Sequence, residues 1–174
     1  NCGCSTGGRP HWNQEWRKPL REALDWLRDE LIPIYEKEAS LFLEDVWKAR
    51  NNYIEVLLDR KPETIDAFIK QHRSRPLKET ETTKLLRLME MQRHAMLMYT
   101  SCGWFFDEIS GIETNQILQY ANRAIHYAGQ VAGVELHDEF VKRLQKAPSN
   151  VYKDGASSYL KNVVPAQVDL EGVA

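Results

Sequence analysis

The side chains best suited to chemistry lie in one run: Tyr99-Thr100-Ser101-Cys102-Gly103-Trp104-Phe105-Phe106-Asp107-Glu108-Ile109-Ser110-Gly111-Ile112-Glu113. Aromatic faces stack on the apolar faces of sugars, and nearby carboxylates accept hydroxyl protons. Trp104, Asp107, Glu108 and Glu113 are therefore candidates for gripping a saccharide. The same residues also suit a structural use, with rings closing the core at a hairpin, Gly103 admitting a close helix contact and the acids facing water. Composition alone favours that second use. A glycosidase acid and nucleophile would need Asp107 or Glu108 to stand roughly 5 to 9.5 Å from Glu113. A hairpin turn can supply such a spacing, but an acid at a helix start, such as Glu113, equally serves the helix dipole. No catalytic residue is assigned within the chain.

Other clusters are weaker. Glu90 and His94 stand four apart, and His126 or Glu113 could join them from a partner helix, but the repeated Glu-x-x-His spacing of di-iron bundles is absent. Cys2-Gly3-Cys4 with His11 forms one closely spaced pair where a zinc site needs two. No metal and no cofactor are expected. Cys102 has no adjoining basic residue to activate it and is expected to be packed and inert. Gln116, Tyr120, Arg123 and Tyr127 recur at helical spacing and could face His94, Met98 and Ser101 across an antiparallel pair, as a partly buried polar network. Trp12, Gln14 and Trp16 could pack internally or dock on a neighbouring domain, and domain contact is the favoured reading.

The elements that would position these residues are helices. Residues 1–12 are rich in glycine and small polar residues, and read as a loop or the tail of an upstream domain, with a helical unit over 13–174. From Asn13, a candidate N-cap, Trp16, Leu20, Ala23, Leu24, Leu27 and Leu31 mark an amphipathic helix limited by Pro33. A second stripe from Tyr35 to Leu57 makes one helix or two, and Pro62 suits the first turn of another. The longest pattern spans about Glu79 to Glu108, Ser110-Gly111 breaks it, and a helix through Ile117 to Ala128 ends near Gly129 to Gly133. Shorter helices over Leu136 to Leu144 and Ala156 to Val163 follow. No period-two alternation, internal repeat or strict heptad is present, so an all-α, irregular antiparallel bundle of about five to seven helices is expected.

A chain of 174 residues can bury a core of its own. Its 23 basic and 25 acidic residues are interspersed without a long basic run, which argues against nucleic acid or an anionic membrane as partner. No apolar stretch approaches the roughly 20 residues that cross a bilayer. Three cysteines, an odd count too low for a disulfide scaffold, favour a reducing cytoplasm. The start at Asn1 without methionine suggests a piece of a longer protein.

Two stretches carry a family likeness: Cys2-Gly3-Cys4-Ser5-Thr6-Gly7-Gly8 followed by Trp12-Asn13-Gln14-Glu15-Trp16-Arg17-Lys18-Pro19-Leu20-Arg21, and Tyr99 through Glu113. Together they resemble the uncharacterised helical domain C-terminal to the catalytic barrel of glycoside hydrolase family fifty-seven, the α-amylase/α-mannosidase-like proteins of bacteria. The likeness spans Cys2 to about Ala128. It implies a retaining glycosidase-type barrel upstream in the same polypeptide, holding both catalytic residues, and an α-glucan or mannan-type saccharide as ligand. Within that expectation Trp104, Asp107 and Glu108 could shape a sugar cleft, while Trp12 and Trp16 sit at the junction. The competing expectations are an autonomous helical protein-interaction module and a metal-binding bundle built on Glu90 and His94.

Overall fold

The computed structural model describes residues 5–167, and all regular structure among them is helical. The segments are α1 (Arg17–Ala39), α2 (Val46–Asn52), α3 (Ile54–Leu58), α4 (Pro62–His72), α5 (Glu79–Leu97), α6 (Ile112–Ala132), α7 (His137–Leu144) and α8 (Gly155–Asn162), with 3-10 turns at Ser101–Trp104 and Val164–Ala166. Tyr53 keeps right-handed helical dihedrals between α2 and α3, so those two form one interrupted rod and the bundle has seven rods. This is the irregular all-α bundle the periodicity predicts. The one extended pairing among the described residues is an isolated bridge between Leu43 and Arg73. No helix there is long and apolar enough to cross a membrane.

Helices α5 and α6 form the central antiparallel hairpin, and α1 lies across both before meeting α7. The inner stripe of α1 (Leu20, Ala23, Leu24, Leu27, Leu31, Tyr35 and Ala39) is buried throughout. Pro33 does not limit this helix, contrary to expectation, because α1 continues six residues beyond it. A proline inside a helix forfeits one hydrogen bond to the carbonyl four residues back. Here that carbonyl belongs to exposed Asp29, where water can take over, while fully buried Leu31 and Tyr35 on either side hold the axis. Asn13 is not the N-cap either; its side chain accepts from the Glu15 N–H in the preceding turn, and Trp16 takes the cap position.

Helix α5 is shorter than its apolar pattern suggests, ending at Leu97 where continuation to Glu108 was expected. Its final turn tightens as Tyr99 N–H donates to Met96 and Thr100 N–H to Leu97, after which Thr100 turns extended. The Tyr99 hydroxyl then donates to Asp25 of α1 at 2.7 Å, drawing the chain sideways. Gly103 meets α6 so closely that a Cβ there would lie 2.0 Å from Ile117 Cδ1 and 3.0 Å from the Glu113 carbonyl. At the far end of α6, Gly133 closes the helix in the left-handed region at φ 64°.

Buried tyrosines bolt the helices together. Tyr35 donates to the Val46 carbonyl at 2.6 Å, Tyr53 to Glu90 at 2.8 Å and Tyr159 to Asn122 at 2.6 Å, and burial raises each phenol above its ordinary pKa. Each ring thus fills the core while its hydroxyl fixes the register of a neighbouring segment.

Pro33→Ala is expected to stabilise the fold. Interior proline costs about 3 kcal/mol against alanine, and lost rigidity of the unfolded chain returns roughly 1 kcal/mol of that. A net gain of about 1–2 kcal/mol should appear as a higher midpoint in thermal or urea unfolding. A lower midpoint would mean that the proline ring packs usefully in α1.

Candidate functional site

Where the α5–α6 hairpin turns over, Asp107 and Glu108 are both buried. Adjacent carboxylates cannot be buried together without donors for both, and the chain supplies them from two distant segments. Asp107 accepts from the N-terminal arm: from the Thr6 N–H at 2.9 Å, the Thr6 hydroxyl at 2.7 Å and the Ser5 hydroxyl at 3.2 Å. Glu108 accepts from the other side, from the Ser149 hydroxyl at 2.6 Å, the Asn150 N–H at 2.6 Å and the Ser110 N–H at 3.1 Å. Asn150 also donates its side-chain amide to the Asp107 carbonyl. The hydroxyl of Thr6 leads the bonds that hold the Asp107 carboxyl below the ordinary aspartate range.

Trp104 stands beside this clasp. Its ring stacks on Trp16 with centroids 6.0 Å apart and planes 15° from parallel, and the Arg21 guanidinium lies 5.0 Å from it, midway to Tyr99 at 4.9 Å. Trp16 is only 1% exposed, and Gln14 is buried with its amide donating to the Phe105 carbonyl at 2.8 Å. Both residues therefore pack within this chain, whereas the interdomain reading needed them exposed. Trp12 is half-buried under the Arg9 guanidinium at 4.4 Å and keeps an open edge. Glu113 stands half-buried in the first turn of α6, at the positive end of that helix.

His94, Tyr120 and Arg123 come together as the helical spacing suggested. The imidazole faces Tyr120 at 6.0 Å and Tyr127 at 5.8 Å, and Arg123 covers Tyr127 at 5.1 Å. His94, Tyr120 and Arg123, with Gln116, Gln119, Asn122 and Gln167, edge a cavity of about 280 Å³. Burial lowers the His94 pKa, so the ring is neutral near pH 7, and its Nδ1 sits 2.8 Å from the Glu90 carbonyl. Ser101 is exposed in the 3-10 turn and outside this group.

Glu90 belongs to a different hub. It accepts from Tyr53, Arg60 and Arg93. Burial works to raise its carboxyl, yet the bonds from Tyr53 and Arg93 and the charges of Arg60 and Arg93 prevail and leave it lowered. The same carboxylate also stands 3.9 Å from His94 Nδ1. Among the described residues no group of three or more His, Cys, Asp or Glu is arranged to hold one. Cys2 and Cys4 lie outside the described residues. Cys102, expected to be packed, is exposed, because the 3-10 turn points it outward where a continuing α5 would have carried it inward.

The feature that composition did not isolate is apolar. Phe105 and Phe106 are 61% and 53% exposed, Ile112 is 80% exposed and Val151 is 58% exposed. The first three flank Asp107 and Glu108 in sequence, and Val151 follows the residue that clasps Glu108. Four large apolar side chains are thus exposed within a few residues of those that form the polar clasp. The phenylalanines lay within the run first singled out, but adjacent rings carry no mark of which faces inward. The donors Ser5, Thr6, Ser149 and Asn150 have no local sequence signal.

Asp107→Ala should free the arm while leaving the helices folded. Hydrogen exchange at the Thr6 amide is expected to accelerate sharply, and proteases should cut within residues 5–12. In the unaltered chain the lowered carboxyl gives protection that is complete above the ordinary aspartate pKa of about 3.9. That protection fades as pH falls through the still lower folded value. Unchanged exchange in the variant would show that the arm is held by other contacts.

The sequence matches the family described as "Domain of unknown function (DUF3536)" over residues 12–174. No curated protein and no solved structure matches it.

Proposed function

The chain belongs to that family of domains of unknown function, and we propose that it acts as the non-catalytic helical companion of a catalytic barrel in the same polypeptide. The barrel would be of the glycoside hydrolase family fifty-seven kind, in a cytoplasmic bacterial enzyme acting on an α-glucan or mannan-type saccharide. In this reading residues 1–12 lead out of the barrel and residues 13–174 dock back on it. The observation that carries the reading is the exposed apolar corner of Phe105, Phe106, Ile112 and Val151, to which Asp107 also ties the arm preceding α1. A chain entering at Ser5 is delivered beside its own docking surface, which raises the local concentration of whatever it is joined to.

The chemistry of the corner supports a supporting role over a catalytic one. Both oxygens of Asp107 and both of Glu108 accept hydrogen bonds from this chain, so neither acid is poised to protonate a glycosidic oxygen or to attack an anomeric carbon. One face of Trp104 is taken by Trp16 and Arg21 lies against the ring as well, which leaves Phe105 and Phe106 as the open rings that could border a sugar cleft.

A second reading, a module for a separate protein partner, draws on another exposed group, Ile54, Leu58 and Met96. Ile54 and Met96 border one depression of about 250 Å³. The two readings part on a single comparison. Phe105→Asp with Phe106→Asp, introduced into the full-length protein, should lower activity on α-glucans or mannosides at least tenfold, with far-UV circular dichroism unchanged. Full activity in that variant, with loss of function on Ile54→Asp and Leu58→Asp instead, would overturn the companion reading in favour of the partner module.

A further inference from the structure

We propose that the notch at the start of α1, lined by Arg17, Lys18, Arg21, Glu22 and Trp104, binds a small oxyanion: a phosphate or carboxylate group carried by a low-molecular-weight ligand. The notch encloses about 420 Å³, within the range of roughly 300–1,000 Å³ typical of small-ligand sites.

Its walls offer donors and almost no acceptors. Arg17, Lys18 and Arg21 converge there against one carboxylate, Glu22, which sits 3.9 Å from Lys18 with both side chains largely in water. Among the described residues, neither Arg17 nor Arg21 forms an ion pair; their guanidinium groups lie against aromatic rings, Arg17 at 5.9 Å from Trp16 and Arg21 at 5.0 Å from Trp104. The Arg21 guanidinium thus lies between the rings of Tyr99 and Trp104 at the edge of the notch.

Independently of the charges, two of the lining side chains carry buried donors that have no hydrogen-bond partner among the described residues: the indole N–H of Trp104 and the Nε–H of Arg17. The indole N–H of Trp16, directly behind Trp104, is a third. Buried donors without partners are rare, and each is destabilising unless an acceptor arrives. Helix α1 adds to the imbalance, with no side-chain cap and no acidic residue in its first turn. An anion seated in the notch would balance the Arg17, Lys18 and Arg21 charges and bring an acceptor close to the buried donors of Arg17 and Trp104.

The ligand is small because the positive charge is confined. The chain is net −2, and its cations are interspersed with acids along the rest of the sequence, so no basic track leads away from the notch for a polyanion to follow. Trp104, stacked against Trp16 and covered by Arg21, contributes its N–H and not a stacking surface, so recognition falls on the oxygens.

The test is titration of ¹⁵N-labelled chain with inorganic phosphate and, separately, with malonate, each at constant ionic strength. The Trp104 and Trp16 indole N–H resonances are expected to move saturably, with half-saturation at roughly 1 mM or below. The better of the two anions identifies the group. Arg17→Gln with Lys18→Gln, both at partly or fully exposed positions, should weaken that binding at least tenfold while the remaining spectrum stays folded. The proposal fails if sodium chloride moves the same resonances equally, if the double variant titrates unchanged, or if neither anion acts below about 20 mM. Binding of heparin in the absence of any effect from either small anion would also overturn it, and would assign the notch to a polyanion.

Discussion

Two adjacent buried carboxylates set the terms for one end of this molecule. A carboxylate leaves water only if donors replace the water. Asp107 and Glu108 must therefore each find their own donors. The first is met by Ser5 and Thr6, the second by Ser149 and Asn150. A single dipeptide thus joins the start, middle and end of the described chain, and the α5–α6 turn, the arm and the loop before α8 become one rigid block.

The rest of the bundle follows a different logic. Its helices are held by apolar stripes, and their registers are set by tyrosine hydroxyls that reach across to another segment. Tyr99 belongs to both regimes. It donates to Asp25 of α1 and braces Arg21, so the anchoring of α1, the end of α5 and the shape of the basic notch rest on one ring.

The periodic parts of the sequence were the readable ones. The buried faces of α1 and α6, proline at the first turn of α4 and the left-handed glycine after α6 follow from spacing and residue type alone. Misreadings arose where tertiary contacts override local preference. Pro33 is tolerated because its cost falls on a solvated carbonyl, and α5 stops early because Tyr99 and Gly103 gain more from α1 and α6 than from another turn. Among the candidate site residues, the grouping of His94 with Tyr120 and Arg123 could be read from helical spacing. The state of Asp107, Glu108, Trp16 and Gln14 could not, because each depends on a partner roughly 40 to 100 residues away in sequence.

Those separations also order events in time. The bond between Ser5 and Asp107 spans 102 residues and that between Asn150 and Glu108 spans 42, so both are among the last contacts a folding chain can close. During synthesis Glu108 has only the nearby Ser110 N–H as a donor until Ser149 and Asn150 have emerged, by which time α1 to α6 are available to pack. The corner bearing Phe105 and Phe106 acquires its final shape only then. Whatever docks there is kept waiting until the C-terminal loop has been made, and a truncated chain lacking that loop would present the rings without the frame that aims them.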